Sequence, residues 1–364
     1  MSIKDIYCQN KAVSSLQHAF AADRVAHAYI FAGAEGIGKF RTAQAWAKLL
    51  LCKNRTQEDG FFDSCGLCDS CKSLEAESHP DFQHIYKELV NFAKSSKGKR
   101  TPVDLPIKVI REFLIEKINS RPILSAAKVY VISESEKLNR ASQNALLKVL
   151  EEPPEYCSII LLCTKLEKLL PTTQSRCQII RFGQIEEEII VNKLKEVGIS
   201  GPEAQYWARF TDGSLGGSLA WAKLESAQGS CYEVKKELVT RLVGYKLEDA
   251  LDFAAWMSTV AKEITQNWVK SQENISKSDI TRRVQRGLIT MIIAAFADAM
   301  KLNAAGNGQL TNAAQTSQIE TLAKRFTAEA SAELIGRAYE IIGWIDASVN
   351  EKLIFEQLLI TFAN

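Results

Sequence analysis

The sequence predicts an α/β protein in which a parallel sheet occupies the first half of the chain and helices fill the second half. Short apolar runs alternate with helical patterns up to residue 182, which is typical of parallel strands joined by crossover helices. A glycine-rich turn directly after the first run joins a strand to a helix. Beyond residue 182 only amphipathic helical segments recur.

The length and composition of the chain set limits on these domains. At roughly 100–200 residues per domain, 364 residues predict two or three globular domains and exclude a disordered or collagen-like chain. No apolar run approaches the ~20 residues needed to span a bilayer, and the polar N-terminal segment is unlike a secretory signal. The net charge of +2 disfavours bulk coating by nucleic acid. We therefore expect a soluble cytoplasmic protein with no membrane partner.

The predicted elements follow from local composition. Apolar runs rich in β-branched or aromatic residues predict strands at residues 28–33, 128–132, 158–162 and 178–182. Helical patterns cover residues 40–51 and 139–152, and the second ends at Pro153 and Pro154, which cannot continue a helix. The later helical segments cover residues 186–197, 233–256, 282–301 and 328–362. The polar, basic stretch 91–106 predicts a mobile loop.

The turn after the first strand has the spacing of a phosphate-binding loop. Gly33 and Gly38 are separated by four residues, Gly36 lies between them, and Lys39 follows. In this strand–loop–helix pattern, backbone N–H groups and the lysine ammonium surround the phosphates of a nucleotide such as ATP or ADP. The loop is therefore a candidate nucleotide site, with a decayed and purely structural loop as the alternative.

The residues that would hold magnesium at such a loop are replaced. Phe40 stands where a Ser or Thr hydroxyl would bind Mg²⁺, and Ser133 stands at the strand end where an aspartate would anchor it. Glu134 remains at the position of a base for the attacking water. Phosphoryl transfer depends on the cation to neutralise developing charge. We expect no Mg²⁺ and no efficient hydrolysis at this site.

Nine cysteines in a chain without a secretory signal need an explanation other than a disulfide framework. Four of them have the spacing of tetrahedral zinc ligands, and these are Cys52, Cys65, Cys68 and Cys71. Four protein ligands close such a site, which predicts a structural Zn²⁺ and no catalysis. A redox Cys-x-x-Cys pair is the competing interpretation, and His79 or His84 could replace one cysteine. The other five cysteines are expected to pack as small apolar residues.

An arginine precedes the last predicted strand. Ser175, Arg176 and Cys177 form a short turn that places one guanidinium at the edge of the sheet. Arginine can bind phosphate in a bidentate manner. A lone arginine is more often a solvated ion-pair former, so its role depends on its neighbours in the fold.

Together these motifs resemble the clamp-loader branch of the AAA+ ATPases, which serves bacterial DNA polymerase III. The matching segments are residues 24–39, the four cysteines, and residues 79–82, 144–154, 170–177 and 213–217. The resemblance implies an AAA+ P-loop core at residues 1–182, with a zinc module inserted at about 52–71. It further implies a small helical lid at residues 183–226 and an all-helical collar, used for oligomerisation, at residues 227–364.

The resemblance also implies roles for single residues. Phe40, Ser133 and Gly217 depart from the pattern of the motor subunits, and Gly217 stands where a second sensor arginine would lie. These departures imply a largely non-hydrolysing subunit that supplies Arg176 in trans to the ATP of a neighbouring motor subunit. Thr164 falls at the first sensor position. The implied partners are γ/τ and δ subunits in a hetero-pentamer and, through them, the β sliding clamp and primed DNA.

Two other functions stay open from the sequence. The chain could be an active γ/τ-like clamp-loader ATPase that tolerates an unusual metal site. It could instead be a DNA-binding zinc protein in which the cysteine cluster and a basic run contact the DNA backbone. The basic run contains Lys94, Lys97, Lys99 and Arg100, and it is also typical of a solvated loop.

Overall fold

The computed structural model describes residues 2–93, 103–271, 275–304, 308–346 and 351–363. The chain forms two compact units, one comprising Met1–Glu186 with Ser214–Gly216 and the other Glu187–Gly213 with Gly217–Asn364. The predicted change of architecture near residue 182 is confirmed. The separation of a lid at 183–226 from a collar at 227–364 stays a prediction. The basic residues Lys94, Lys97, Lys99 and Arg100 lie outside the described residues.

A parallel sheet is the centre of the first unit. Its strands and those of a separate hairpin are β1 Ala28–Ala32, β2 Thr56–Glu58, β3 Phe61–Asp63, β4 Phe82–Ile85, β5 Lys128–Ile132, β6 Cys157–Cys163 and β7 Gln178–Arg181. The five-stranded sheet has the order β4-β5-β6-β1-β7, and every neighbouring pair in it is parallel. The antiparallel pair β2–β3 stands apart. This sheet confirms the predicted α/β fold class and its four predicted strands.

Helices cover both faces of the sheet. They are α1 Asn10–Ala21, α2 Lys39–Leu51, α3 Asp69–Glu75, α4 Ile107–Ile110, α5 Glu116–Ile118, α6 Arg140–Glu151 and α7 Pro171–Gln174, with a π-helical turn Arg111–Ile115 between α4 and α5. Successive residues of β1 belong to opposite core clusters, as the pleat of a strand requires: Ile30 packs with α6, and Tyr29 packs with Trp46 of α2. Burial on both faces explains why the strands read as continuous apolar runs.

Short 3₁₀ turns connect several of these elements. In the first unit they are Ile3–Asp5, Lys87–Phe92, Ser135–Lys137 and Leu166–Lys168. In the second unit they are Leu247–Asp249 and Ala313–Gln315. The turn after β5 carries the acidic residues of the candidate site described below.

The second unit is helical in the part of the chain that the structure describes, apart from one minimal hairpin. Its helices, counting α10 where the two units adjoin in sequence, are α8 Glu187–Glu196, α9 Gly201–Phe210, α10 Leu215–Ala222, α11 Cys231–Gly244, α12 Ala250–Ser271, α13 Lys277–Asn303, α14 Thr316–Arg325, α15 Ala328–Asp346 and α16 Glu351–Ala363. The hairpin pairs β8 Glu225–Ser226 with β9 Gly229–Ser230. The expectation of no strand beyond residue 182 was therefore wrong at this point.

The predicted single helix over residues 233–256 was also wrong. The chain leaves the helical conformation at Tyr245, whose φ of −60° and ψ of 133° are extended. Gly244 precedes this break, and the Tyr245 hydroxyl donates a hydrogen bond to the Leu359 carbonyl at 2.7 Å. The helix therefore ends at Gly244, although the apolar pattern continues beyond it, and a contact with α16 holds Tyr245 after the break.

Among the described residues, no helix has both the length and the apolar character needed to cross a membrane.

Candidate functional site

The glycine-rich loop connects β1 to α2, as the sequence predicts. Gly36 and Gly38 adopt positive φ angles of 77° and 100°, which glycine accepts without steric cost. Glycine is required at position 33 because a side chain would not fit there: a Cβ would lie 2.6 Å from the Ile37 Cδ1 and 2.7 Å from the Phe182 carbonyl oxygen. The three predicted glycines therefore share one tight loop at the start of α2.

Lys39 begins α2 and folds back over this loop. Its ammonium donates to the Gly33 carbonyl at 2.6 Å and also to the Ala34 carbonyl. The side chain is buried, and burial lowers the pKa of Lys39, opposed by the nearby carboxylates of Glu136 and Glu35. Phosphate oxygens could replace the two carbonyl acceptors, so the arrangement is suited to an anion.

A second glycine turn lies directly against the phosphate loop. The Gly216 N–H donates to the Gly36 carbonyl at 2.9 Å, and a Cβ at position 216 would lie 3.0 Å from the Gly36 Cα. This contact is inside the first compact unit, which includes Ser214–Gly216. The close approach of the two backbones explains glycine at position 216.

Phe40, which stands where a magnesium ligand is expected, lies in an aromatic cluster with His84 and Tyr86. Its ring centroid is 4.5 Å from that of His84, which in turn lies 4.9 Å from the Tyr86 ring. His84 Nε2 and the Ser133 hydroxyl are 2.8 Å apart and form a hydrogen bond. Phe40 and Ser133, which stand in place of the expected magnesium ligands, therefore both contact His84. The sequence analysis did not connect this histidine to them.

This cluster is electrically neutral at physiological pH. Burial lowers the pKa of His84 to about 4, so its imidazole carries no charge near pH 7. Mg²⁺ prefers oxygen ligands and is usually bound through one or two carboxylates. A phenyl ring, a neutral imidazole and one hydroxyl do not form such a ligand set.

The acidic residues after β5 are already paired within the chain. Glu134, in the left-handed conformation with φ of 51°, contacts the Lys137 ammonium at 2.6 Å and the buried Lys87 ammonium at 3.9 Å. Glu136 accepts hydrogen bonds from the Thr164 hydroxyl at 2.5 Å and the Thr164 N–H at 3.2 Å. Sequence reasoning selected Glu134 and missed Glu136, although Glu136 is the carboxylate that contacts Thr164.

The four predicted cysteines converge on one point. Their sulfur atoms all lie within 4.8 Å of one another, with Cys52 Sγ 3.5 Å from Cys65 Sγ and 3.9 Å from Cys68 Sγ. Tetrahedral zinc with Zn–S bonds of about 2.3 Å requires sulfurs about 3.8 Å apart. The four thiols therefore have the spacing of a metal site, and Gly66, with φ of 69°, permits the turn between the cysteines.

The electrostatics of the cluster favour a thiolate at one ligand. Burial opposes ionisation of Cys68, but hydrogen bonds from the backbone of Lys53 and Cys71 outweigh it and lower the pKa of the Cys68 thiol to about 6. The thiolate is the form that binds a metal.

Neither histidine replaces a cysteine in this cluster. His79 Nε2 lies 2.9 Å from the Ser70 hydroxyl, and its Nδ1 accepts from the Asp81 N–H at 3.0 Å. Ser70 in turn donates to the Leu51 carbonyl at 2.8 Å. His79 thus supports the polypeptide around the cysteines, while His84 belongs to the cluster with Phe40.

Arg176 lies on the turn between α7 and β7. Its Nη2 is 2.7 Å from Glu151 Oε1, and its Nη1 donates to the Thr172 carbonyl at 2.9 Å. About a third of the Arg176 side chain (34%) is exposed. The guanidinium is therefore held by its own chain and remains accessible to solvent.

The fold and the loop define the class of the protein. A parallel sheet with a glycine-rich loop and a lysine between β1 and α2, followed by a largely helical region, is a P-loop-like α/β core with helical additions. Models of the DNA polymerase III delta subunit match residues 8–186, and models of its C-terminal part match residues 248–364. The chain belongs to the clamp-loader family of DNA polymerase III.

Individual relatives agree with this family. The chain is 30% identical to the DNA polymerase III subunit tau/gamma of Haemophilus influenzae over 66% of this chain and 33% of the relative. It is 28% identical to the subunit delta' of Bacillus subtilis over 56% of each. A gamma subunit-related protein of Thermotoga maritima matches 97% of this chain and 98% of its own at 15% identity, with a TM-score of 0.42. The chain thus spans about a third of the tau/gamma relative and about half of the delta' relative.

We expect the neutral state of His84 to produce a measurable pH dependence. The pKa of His84 is lower in the folded chain than the ordinary 6.5, so the folded state binds fewer protons there. The contribution of His84 to the free energy of unfolding is therefore largest above pH 6.5 and decreases as the pH falls toward about 4. His84→Gln, whose amide can still contact Ser133, should flatten the pH dependence of the urea midpoint over this range.

Histidine NMR titration and urea unfolding test this expectation together. His18→Gln, on the exposed face of α1, is the matched control and should retain the wild-type pH profile. Titration of His84 near pH 6.5, or identical pH profiles for His84→Gln and the wild type, would contradict it.

Proposed function

We propose that the chain is a δ′-like subunit of the DNA polymerase III clamp loader in the cytoplasm. In this proposal it is a largely non-hydrolysing stator that supplies Arg176 in trans to the ATP site of a neighbouring γ/τ motor subunit. With γ/τ and δ subunits it would form the hetero-pentamer that loads the β sliding clamp onto primed DNA. Family membership supports the complex, and the geometry of two sites supports the role within it.

The contrast between these two sites carries the proposal. In the chain's own site, Phe40 and Ser133 stand at the positions of the expected magnesium ligands, and His84 contacts both of them. At the edge of the sheet, by comparison, the partly exposed Arg176 is fixed at the surface. A subunit that has lost its metal ligands but keeps an accessible arginine is suited to help another subunit's hydrolysis. Nucleotide, ATP or ADP, could still bind at Gly33–Lys39 without being turned over.

We also propose a structural Zn²⁺ at Cys52, Cys65, Cys68 and Cys71. The sulfur spacing fits tetrahedral zinc, and four thiolates leave no open position for a substrate. The ion would tie the end of α2 to the start of α3, two segments otherwise separated by the β2–β3 hairpin. A structural role follows from this closed ligand set.

A γ/τ-like ATPase is the second candidate. The glycines and Lys39 of the phosphate loop are all in place, and Glu134 follows β5. The tau/gamma relative of Haemophilus influenzae and the tau relative of Escherichia coli each match 66% of this chain, compared with 56% for the delta' relative. This candidate requires hydrolysis by the chain alone, which the stator proposal does not.

The arginine claim is tested in a complex reconstituted with γ and δ subunits from the same organism. Arg176→Ala should lower ATP hydrolysis at the neighbouring site at least about tenfold, because an arginine finger stabilises charge in the transition state. DNA-stimulated phosphate release is the measurement, with complex assembly checked by size-exclusion chromatography. Arg181→Ala, an exposed arginine on β7, is the control and should retain the rate. An unchanged rate in Arg176→Ala would remove the trans role.

The zinc claim is tested by metal analysis of the purified chain. We expect one zinc per chain in the wild type, and loss of most of it in Cys65→Ser, because three thiolates hold zinc less tightly than four. Cys8→Ser, outside the cluster, is the control and should keep its zinc. Absence of zinc from the wild type, or equal zinc in both variants, would contradict the site.

A further inference from the structure

The Arg176 guanidinium is held by one carboxylate and one backbone carbonyl. Glu151 ends α6, and its Oε1 is 2.7 Å from Arg176 Nη2. The Thr172 carbonyl accepts from Nη1 at 2.9 Å. Two acceptors on different elements fix the plane of a guanidinium, which a single contact would leave free to rotate.

Both elements that supply these acceptors are themselves fixed. Leu146 and Leu150 of α6 are buried in the sheet core. Gln143, on the same helix, accepts from the Leu170 N–H at 2.8 Å and so ties α6 to the start of α7. Glu151 and Thr172 are therefore held in constant relation to each other.

A contribution to folding stability does not explain why a glutamate occupies position 151. A carboxylate in the last turn of a helix interacts unfavourably with the helix dipole. The ion pair is partly exposed, with 34% of Arg176 and 50% of Glu151 accessible, and such pairs contribute only ~0–1 kcal/mol. A function in orienting the arginine explains its position better than a contribution to folding.

The guanidinium keeps donors for a further ligand. Arginine has five N–H donors. The bond to the Thr172 carbonyl uses one donor of Nη1, and the ion pair with Glu151 lies at Nη2, so the Nε–H takes part in neither contact. The guanidinium therefore has donors left for phosphate oxygens.

We propose that Glu151 is a positioning residue that holds the Arg176 guanidinium in one orientation, in which its remaining N–H donors are presented to phosphate oxygens of a nucleotide held by a neighbouring subunit. This inference rests on the proposed trans role of Arg176. A preoriented arginine loses less entropy when the transition state forms, so the effect belongs to turnover and not to ATP binding.

The test is ATP hydrolysis by the reconstituted complex with four variants: Glu151→Ala, Glu152→Ala, Arg176→Ala and the double variant Glu151→Ala/Arg176→Ala. Glu151→Ala should lower kcat about three- to tenfold with KM unchanged, and should have no further effect when Arg176 is already absent. Glu152→Ala removes the next carboxylate, which is also exposed, and should behave as wild type. Glu151→Gln, which keeps an acceptor without charge, should lie between Glu151→Ala and the wild type.

The outcomes separate the two proposals. If Arg176→Ala lowers the rate but Glu151→Ala does not, or raises it, the positioning role is wrong and the trans role stands. If Glu151→Ala lowers kcat by the same factor with and without Arg176, Glu151 does not act through the arginine. If Arg176→Ala leaves the rate unchanged, both proposals fail. Assembly of each variant, measured by size-exclusion chromatography, shows that the comparison is made between intact complexes.

Discussion

The register of the parallel sheet is the constraint on which the rest of the first unit depends. Ala32 pairs with Cys163, and Ile132 pairs with both Leu161 and Ile85. Because all five strands run in one direction, the residues that follow them meet at one edge. A slip by one residue would turn every side chain to the opposite face and separate the loop lysine from the acidic turn after β5.

The two sites lie at opposite ends of the parallel strands and differ in chemistry: the glycine-rich loop follows β1, whereas Arg176 precedes β7. Near the phosphate loop, Phe40 and His84 form an apolar and neutral cluster that cannot supply the carboxylates magnesium prefers. Near β7, Arg176 retains a charge that its own chain holds in one orientation through Glu151. The same scaffold thus carries a neutral cluster beside the glycine-rich loop and a charged, partly exposed arginine before β7.

The sequence alone predicts the features whose residues lie close together along the chain. The loop Gly33–Lys39 and the four cysteines lie in short segments, so their geometry follows from turn and helix chemistry. The position of His84 beside Phe40 was not predicted, because β4 is a short, half-buried strand and the contact of His84 with Ser133 joins residues 49 positions apart. The contacts of Glu151, Glu136 and Tyr245 were not predicted because their partners lie in other segments of the chain.

The central claim is that this chain does not turn over nucleotide in its own site. The most direct measurement is steady-state ATP hydrolysis by the purified chain alone, with Mg²⁺ and primed DNA, against Lys39→Ala as the background. We expect the wild type and Lys39→Ala to release phosphate at the same rate, since Phe40 and Ser133 stand where ligands of the cation that phosphoryl transfer needs are expected. Turnover by the wild type at the rate of a γ-type motor subunit, abolished by Lys39→Ala, would contradict the claim.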